Sequence, residues 1–333
     1  MNKIICRSKL RYPLTKDFDK HFFSLADYHN SFFTSNDPKK IMVFYNHFKT
    51  NEELIEWMKN RPKGASYIHE VDGRKDIVVV ITTADFNGKY AKTCRDEIFK
   101  GLHIIFVESG GRGDYYFNYA HNCNVGIKKA LEYNPKWIIV SNDDMYKIDD
   151  INILINELKK IDEKIIDCVF PNYSINANHS LPSKLCLLST FGIHLYSLRA
   201  IHSLKLASVI KNFSKKYIVS IVDTKKVPTN LKLKIFVKLF STEILPYYSI
   251  GSFGIFSSNM VRKYNSNLFD TTYINAWEDV DLSVEVSKNH KVAFINYNIG
   301  GETGGTINWN SARNLRDVIN GMYFYNKHIN LFK

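Results

Sequence analysis

The stretch from Trp137 to Tyr146, Trp-Ile-Ile-Val-Ser-Asn-Asp-Asp-Met-Tyr, most constrains what this chain can fold into. Four consecutive apolar residues, Trp137 to Val140, suit a strand buried on both faces, as in the interior of a parallel sheet. The run then stops in Asn142, Asp143 and Asp144. Carboxylates at the carboxyl end of such a strand stand at the sheet edge where open α/β folds bind ligands. Two adjacent acids there have two uses. They hold a divalent cation, Mg²⁺ or Mn²⁺, through hard oxygen ligands, or they cap the helix that follows.

The surrounding pattern alternates strand and helix. Ile77 to Ile81 is a buried strand, followed by a loop to Gly88 and a helix to about Lys100. His103 to Val107 is a second strand, running into Glu108-Ser-Gly-Gly-Arg-Gly-Asp114, with a helix from Phe117 to Tyr133 behind it. Ile151, Leu154, Ile155, Leu158 and Ile161 recur at helical spacing after Asp149 and Asp150. Ile165 to Phe170 reads as a strand closed by Pro171. This order predicts an α/β fold with a doubly wound, mostly parallel sheet. Farther on, Trp277-Glu-Asp-Val-Asp-Leu-Ser-Val284 opens a helix at its acidic end. Val292 to Ile295 is a last short strand, Gly300 to Thr306 a glycine-rich turn, and Ser311 to Asn326 a closing helix.

The domain expectation follows from those elements. Residues 1–75 are an N-terminal extension packed on the main domain, with a capping box at Thr50 and Glu53 opening a short helix through Met58. Residues 76–310 are the α/β domain, divided into 76–175, a basic insert at 176–248, and 249–310; residues 311–333 carry the last helix.

A hydrophobic share of 45% and an aromatic share of 14% exclude a disordered chain. The longest apolar runs are far short of the roughly 18 residues that span a bilayer. The start lacks the apolar core of a secretory signal. Cysteines 6, 94, 123, 168 and 186 are scattered without a Cys-x-x-Cys pair, which argues against a disulfide framework or zinc site and for a reducing, cytoplasmic location. The net charge is +12, and most of it lies between Leu181 and Pro246, where eleven Lys and Arg face only Asp223 and Glu243. In that insert, Ala200 to Tyr217 has an amphipathic pattern and Leu231 to Phe240 alternates like a strand. Lysines interleaved with apolar side chains suit peripheral contact with an anionic membrane face, or an ordinary solvated basic surface.

The second acidic cluster is Glu278-Asp279-Asp281. An acid there serves as a general base toward an incoming hydroxyl, or simply complements the positive end of the helix dipole. Gly110-Gly-Arg-Gly-Asp114 is no P-loop, because no Lys-Ser/Thr follows; Arg112 in it is a candidate phosphate contact. The eleven histidines show no metal-ligand spacing.

From about Ile77 to Gly301 the chain resembles the family 2 glycosyltransferases, which have the nucleotide-diphosphosugar-binding GT-A fold. The matching elements are Ile77-Val-Val-Val-Ile-Thr-Thr-Ala, Val107-Glu-Ser-Gly-Gly, Asn124-Val-Gly-Ile-Lys-Lys-Ala130, Ser141-Asn-Asp-Asp-Met at the Asp-x-Asp position, and Trp277-Glu-Asp-Val-Asp-Leu. The resemblance implies that Ala84, Asp85 and Glu108 line the nucleotide site, with Arg112 and Asn124 near the donor. It makes Asp143 a donor ribose or sugar contact, Asp144 the Mg²⁺ or Mn²⁺ ligand, and Asp279 the base of an inverting transfer, with Glu278 orienting the acceptor or loop. Glu108 replaces the usual Asp. The family's late His is missing, so either Glu302 substitutes as a ligand or Asp144 and phosphates hold the metal alone. The expected activity is sugar transfer from a nucleotide-diphosphate donor to a hydroxyl acceptor on a glycan, lipid-linked molecule or protein, with no nucleic acid partner. The alternative is an inactive scaffold of the same fold that docks nucleic acid or an anionic membrane through its basic insert.

Overall fold

Ile77 to Ile81 form the middle of a ten-residue strand, and their alternation divides the core in two. Ile77, Val79 and Ile81 face one layer, while Val78 and Val80 face the other. That is what an unbroken apolar run requires, since successive side chains leave opposite faces of a strand. The computed structural model describes residues 4–6, 50–109, 117–176, 183–188, 220–222, 239, 241–248, 250–301 and 320–331.

In chain order the elements begin β1 (Ile4–Cys6), α1 (Asn51–Asn60), β2 (Ser66–Val71) and β3 (Arg74–Thr83). Then come α2 (Lys89–Thr93), which runs into a π turn at Cys94–Ile98, β4 (Leu102–Ser109), α3 (Tyr119–Leu131) and β5 (Trp137–Asn142). β6 (Met145–Lys147), α4 (Ile151–Lys159) and β7 (Cys168–Asn176) follow. β8 (Ser183–Leu188), β9 (Ser220–Val222) and β10 (Ser241–Tyr247) lie in the insert. β11 (Phe253–Ser257), α5 (Ser258–Lys263), α6 (Glu278–Asn289), β12 (Val292–Gly301) and a helix over 320–327, α7, complete the described chain.

Among the described residues the main sheet has nine strands in the order β1-β2-β4-β3-β5-β11-β7-β12-β6. Only β3–β4, β3–β5 and β7–β12 pair in parallel; the other neighbours are antiparallel. The expectation of a mostly parallel sheet is therefore corrected to a mixed one. Three elements cause the difference: β2 enters beside β4, β11, arriving from the insert, runs against both β5 and β7, and β6 runs against β12. β2 lies inside the sheet, so the sheet begins within the segment expected to be an extension. Pro171 does not close β7, which continues to Asn176. Beyond Val169 that strand pairs with β12 alone, so a residue without an N–H is accommodated there. β12 likewise runs through Gly300 and Gly301, where a turn was expected. A Cβ at Gly300 would stand 2.0 Å from the Tyr146 ring, so any larger residue would displace that ring.

Helices cover both faces. Ala91, Cys94, Ile98 and Phe99, with Ile151, Leu154, Ile155 and Leu158 of α4, fill one side. Ala120, Cys123, Ile127 and Ala130 of α3, with Met260, Val261, Leu282 and Val286, fill the other. The insert supplies a separate antiparallel sheet, β10-β8-β9. Its Leu187, Leu245 and Tyr247 pack with Tyr273, Val280, Val284 and Phe324. α6 is thus clamped between two cores, each of its four buried Val and Leu side chains contributing about 1.5–3 kcal/mol. The Thr50 half of the expected capping box forms: its Oγ1 accepts from the Glu53 N–H at 3.2 Å, and α1 runs to Asn60. Ala200 to Tyr217, and all but one residue of Leu231 to Phe240, lie outside the described residues. Among the described residues no helix is long and apolar enough to cross a membrane.

Candidate functional site

Parallel β3, β4 and β5 end together, at Thr83, Ser109 and Asn142. Antiparallel β2 begins at that same edge, with Ser66 opposite Ser109, and β11 begins there with Phe253 opposite Ser141. The edge therefore collects Ala84 and Asp85, Glu108, Asn142 to Asp144, and Gly251 and Ser252 from separate parts of the chain.

At its centre, Asp143 Oδ2 accepts a 2.6 Å hydrogen bond from Thr83 Oγ1. The same hydroxyl accepts from the Asp85 N–H at 3.3 Å, tying the loop after β3 to the acid pair. The Cys94 thiol donates to the Asp143 carbonyl at 3.3 Å, and burial, then Asp143, push that thiol far up. Burial also raises Asp143 above the usual carboxylate range, and the Thr83 hydroxyl only partly offsets it. Asp144 is half-buried beside it. Neither acid caps the next helix. β6 intervenes, and Asp150 is the cap of α4, accepting from the Asn152 N–H at 3.0 Å. The capping alternative is excluded.

Asp279 reaches the same edge from the first turn of α6. Its Oδ2 accepts from the Tyr247 hydroxyl at 2.9 Å, and its side chain lies against Gly251, where a Cβ would come within 3.1 Å. The Gly251 carbonyl in turn accepts from the Tyr119 hydroxyl at 2.7 Å, which lies 3.0 Å from Asn142 Oδ1. Asn142 N–H also donates to the Ser252 carbonyl at 3.0 Å. The two acidic clusters are therefore joined through Gly251, Tyr119 and Asn142. Burial above all, then Cys123 and the carboxylates of Glu278 and Asp279, hold the Tyr119 phenol well above its ordinary value. Burial and Asp279 do the same for Tyr247, so both remain neutral donors.

The three acids in the first turn of α6 go to different places. Glu278 is buried. Asp281 faces away from Asp279, accepting from Tyr273 Oη at 3.0 Å and Lys327 Nζ at 2.8 Å, with His328 Nε2 at 2.6 Å. Dipole compensation applies to all three alike and explains none of these separate partners. Just before them, Trp277 has φ 78°, a conformation that costs a bulky residue about 1–3 kcal/mol. Asn275, at φ 49°, accepts from the Tyr119 N–H at 2.8 Å and donates to the Phe117 carbonyl at 3.1 Å, locking this turn to the start of α3.

The remaining candidates divide. Asp85 is exposed, with Oδ1 accepting from the Asn87 N–H at 2.9 Å, and Ala84 is half-buried beside it. Glu108 Oε2 lies 2.5 Å from His69 Nε2, and the His69 ring stacks on Phe86 at 4.3 Å. Asn124 is not presented to the edge. It is buried, and its amide exchanges two hydrogen bonds with the Phe269 backbone, at 2.7 and 3.0 Å. It fastens α3 to the 268–274 segment. Arg112 and Glu302 lie outside the described residues. Sequence reasoning missed Thr83, Tyr119, Tyr247 and Gly251, which connect the acids, because each acts through a partner far along the chain.

Among the described residues no group of three or more His, Cys, Asp and Glu side chains gathers as a metal cage. The donor set at the edge, Asp143 with Asp144, fits Mg²⁺ or Mn²⁺ in another way. Such ions use one or two carboxylates and complete their shell with water and phosphate oxygens. A buried carboxylate held up by desolvation also gains from a cation beside it. No protein-family model matches the chain, and no curated protein matches it.

Proposed function

We propose that the chain is a glycosyltransferase of the GT-A type, moving a sugar from a nucleotide-diphosphate donor to a hydroxyl acceptor with inversion. One observation carries the reading: Asp279 and the Asn142–Asp144 turn, far apart in sequence, are joined at one sheet edge through Gly251 and Tyr119. An inverting transfer needs a carboxylate on the acceptor side and negative charge compensated on the leaving side.

In this reading Asp279 takes the proton of the acceptor hydroxyl as its oxygen attacks the anomeric carbon. The bond from that carbon to the diphosphate oxygen breaks, and its electron pair leaves with the nucleoside diphosphate. The Tyr247 hydroxyl holds Asp279 Oδ2, leaving Oδ1 to receive the proton. Asp144, backed by Asp143, would hold a divalent cation, which supplies charge neutralisation to the diphosphate. Glu108, steadied by His69, and the Ala84–Asp85 loop are the nucleoside contacts. Buried Glu278, next to Asp279 in the chain, would orient the acceptor or the loop. Lipid-linked, glycan and protein acceptors all satisfy this chemistry, and the basic insert favours an anionic one.

The test is release of nucleoside diphosphate from a panel of nucleotide sugars with Mn²⁺, water serving as acceptor. Asp279→Asn should lower release by about 10²–10⁴-fold while donor and Mn²⁺ still raise the melting temperature. Asp144→Asn should abolish the Mn²⁺ dependence of donor binding. A protein that binds and hydrolyses none of the donors refutes the reading.

A further inference from the structure

A second set of ionisable side chains gathers at this edge. After α1 the chain passes through Arg61 and Lys63 before Ser66 starts β2 opposite Ser109, so these residues lie at the carboxyl end of β4. They are held against the first turn of α3: Arg61 Nη1 donates to the Phe117 carbonyl at 3.5 Å, and Ser66 Oγ donates to Asn122 Oδ1 at 2.6 Å. His121 stands in that same turn, half-buried.

The group has donors without acceptors. The Lys63 ammonium is buried and has no hydrogen-bond partner among the described residues, and neither has Asn122 Nδ2. Arg61 is 2% exposed. Burial, then the Arg61 charge, lowers Lys63 to about 8, against a small opposing pull from Asp270. Burial and Lys63 together lower His121. Asp270 makes no hydrogen bond to Lys63, and its carboxylate is turned to Lys327, Tyr323 and the Thr272 N–H. Leaving a buried cation uncompensated beside another cation is costly, and the arrangement makes sense when an anion joins it.

We propose that Arg61, Lys63 and His121 form a binding site for a phosphate group, on the β2 side of the sheet edge and distinct from the Asp143–Asp144 pair. The two cations supply charge and directed donors to the oxygens, and protonated His121 adds a third donor when the anion is present. The site stands on its own geometry. Within the glycosyl-transfer reading it takes either the donor's diphosphate or a phosphate carried by the acceptor.

Melting and calorimetric titrations at pH 7 and constant ionic strength, with inorganic phosphate against chloride, test it. Wild type should bind phosphate saturably. Lys63→Met should melt higher than wild type in chloride, because it removes an uncompensated charge, and should weaken phosphate binding at least about 10-fold, the usual scale of one charge-assisted contact. Lys63→Arg should retain binding. Parallel titrations with a nucleoside diphosphate and with glycerol phosphate assign the source: loss of the former in Lys63→Met identifies the donor, loss of the latter alone the acceptor. A wild type that shows no saturable phosphate binding overturns the site. So does a Lys63→Met protein that melts lower with unchanged phosphate affinity. Should Lys63→Met not fold, His121→Gln replaces it, with the same weakening expected.

Discussion

Asp279 and Asp281, two residues apart on α6, should respond oppositely to the same substitution. Asp281 has a side chain only 10% exposed and receives Lys327, Tyr273 and His328. Asp281→Asn keeps the volume but removes the charge and turns an amide donor toward an ammonium or hydroxyl. Breaking a buried ion pair costs about 3–5 kcal/mol. Lys327 is 35% exposed and retains Asp270 at 2.7 Å, so screening and the surviving partner reduce this to about 2–3 kcal/mol. With an m-value of about 3 kcal/mol/M, the urea midpoint falls by about 1 M. Asp279 is half-buried, and an Asn there still accepts from Tyr247, so Asp279→Asn should stay within about 1 kcal/mol of wild type. Urea unfolding followed by fluorescence measures both. A cycle with Lys327→Met isolates the pair, because Asp281→Asn should cost less once Lys327 is gone. Equal losses for the two Asn variants, or additive effects in the cycle, would refute the division of labour within this turn.

Three further outcomes follow from the same geometry. Burial raises Asp143 above its unfolded value of about 3.9, so its folded form favours the proton, and the stability it contributes at low pH is lost as pH rises through that window. Asp143→Asn should therefore raise the melting temperature at pH 7 while weakening Mn²⁺-supported donor binding; a variant that melts lower at pH 7 contradicts this. Burial opposes the charge on Asp270, but Lys327 and the Thr272 N–H outweigh it and lower its pKa. Its contribution is thus present above about pH 3.9 and disappears as pH falls through the lower folded value, so the stability gap between wild type and Asp270→Asn should be large at pH 6 and close at the acid end of a urea series. In Gly126→Ala the new Cβ would stand 2.3 Å from Val80 Cγ1 and 2.9 Å from Val107 Cγ2, and the displaced helix should cost about 1–3 kcal/mol in the same assay.

The parts of the fold legible in the sequence are those governed by neighbours along the chain. Ile77 to Ile81 and Trp137 to Val140 are apolar at every position because both sheet faces are covered, and that leaves an unambiguous local pattern. Thr50 with Glu53 and the spacing from Ile151 to Leu158 are equally local. Strand direction is not: β2 and β11 are antiparallel, yet nothing in their residues distinguishes them from parallel strands, because direction depends on which neighbour each one meets. The candidate site divides in the same manner. An apolar strand that stops at the sheet edge gives way there to polar residues, so the place of Asp143 and Asp144 at the end of β5 was visible. Helix geometry also sets Asp279 and Asp281 about 200° apart, so one helix turn could not aim both at the same place. What each would meet was hidden, because Tyr247 and Lys327 belong to other elements. Asn124 is the opposite case: its place in a motif suggested a ligand contact, while its amide bonds the backbone of Phe269, 145 residues away. The decisive residue is Tyr119. Its hydroxyl lies within hydrogen-bond distance of both Asn142 and the carbonyl of Gly251, and Gly251 abuts Asp279. A phenol donates there only while neutral, and burial above all, then Cys123 ahead of Glu278 and Asp279, keeps it so. Its one O–H, donated to the Gly251 carbonyl within reach of Asn142 Oδ1, ties the end of β5 to the segment that abuts Asp279.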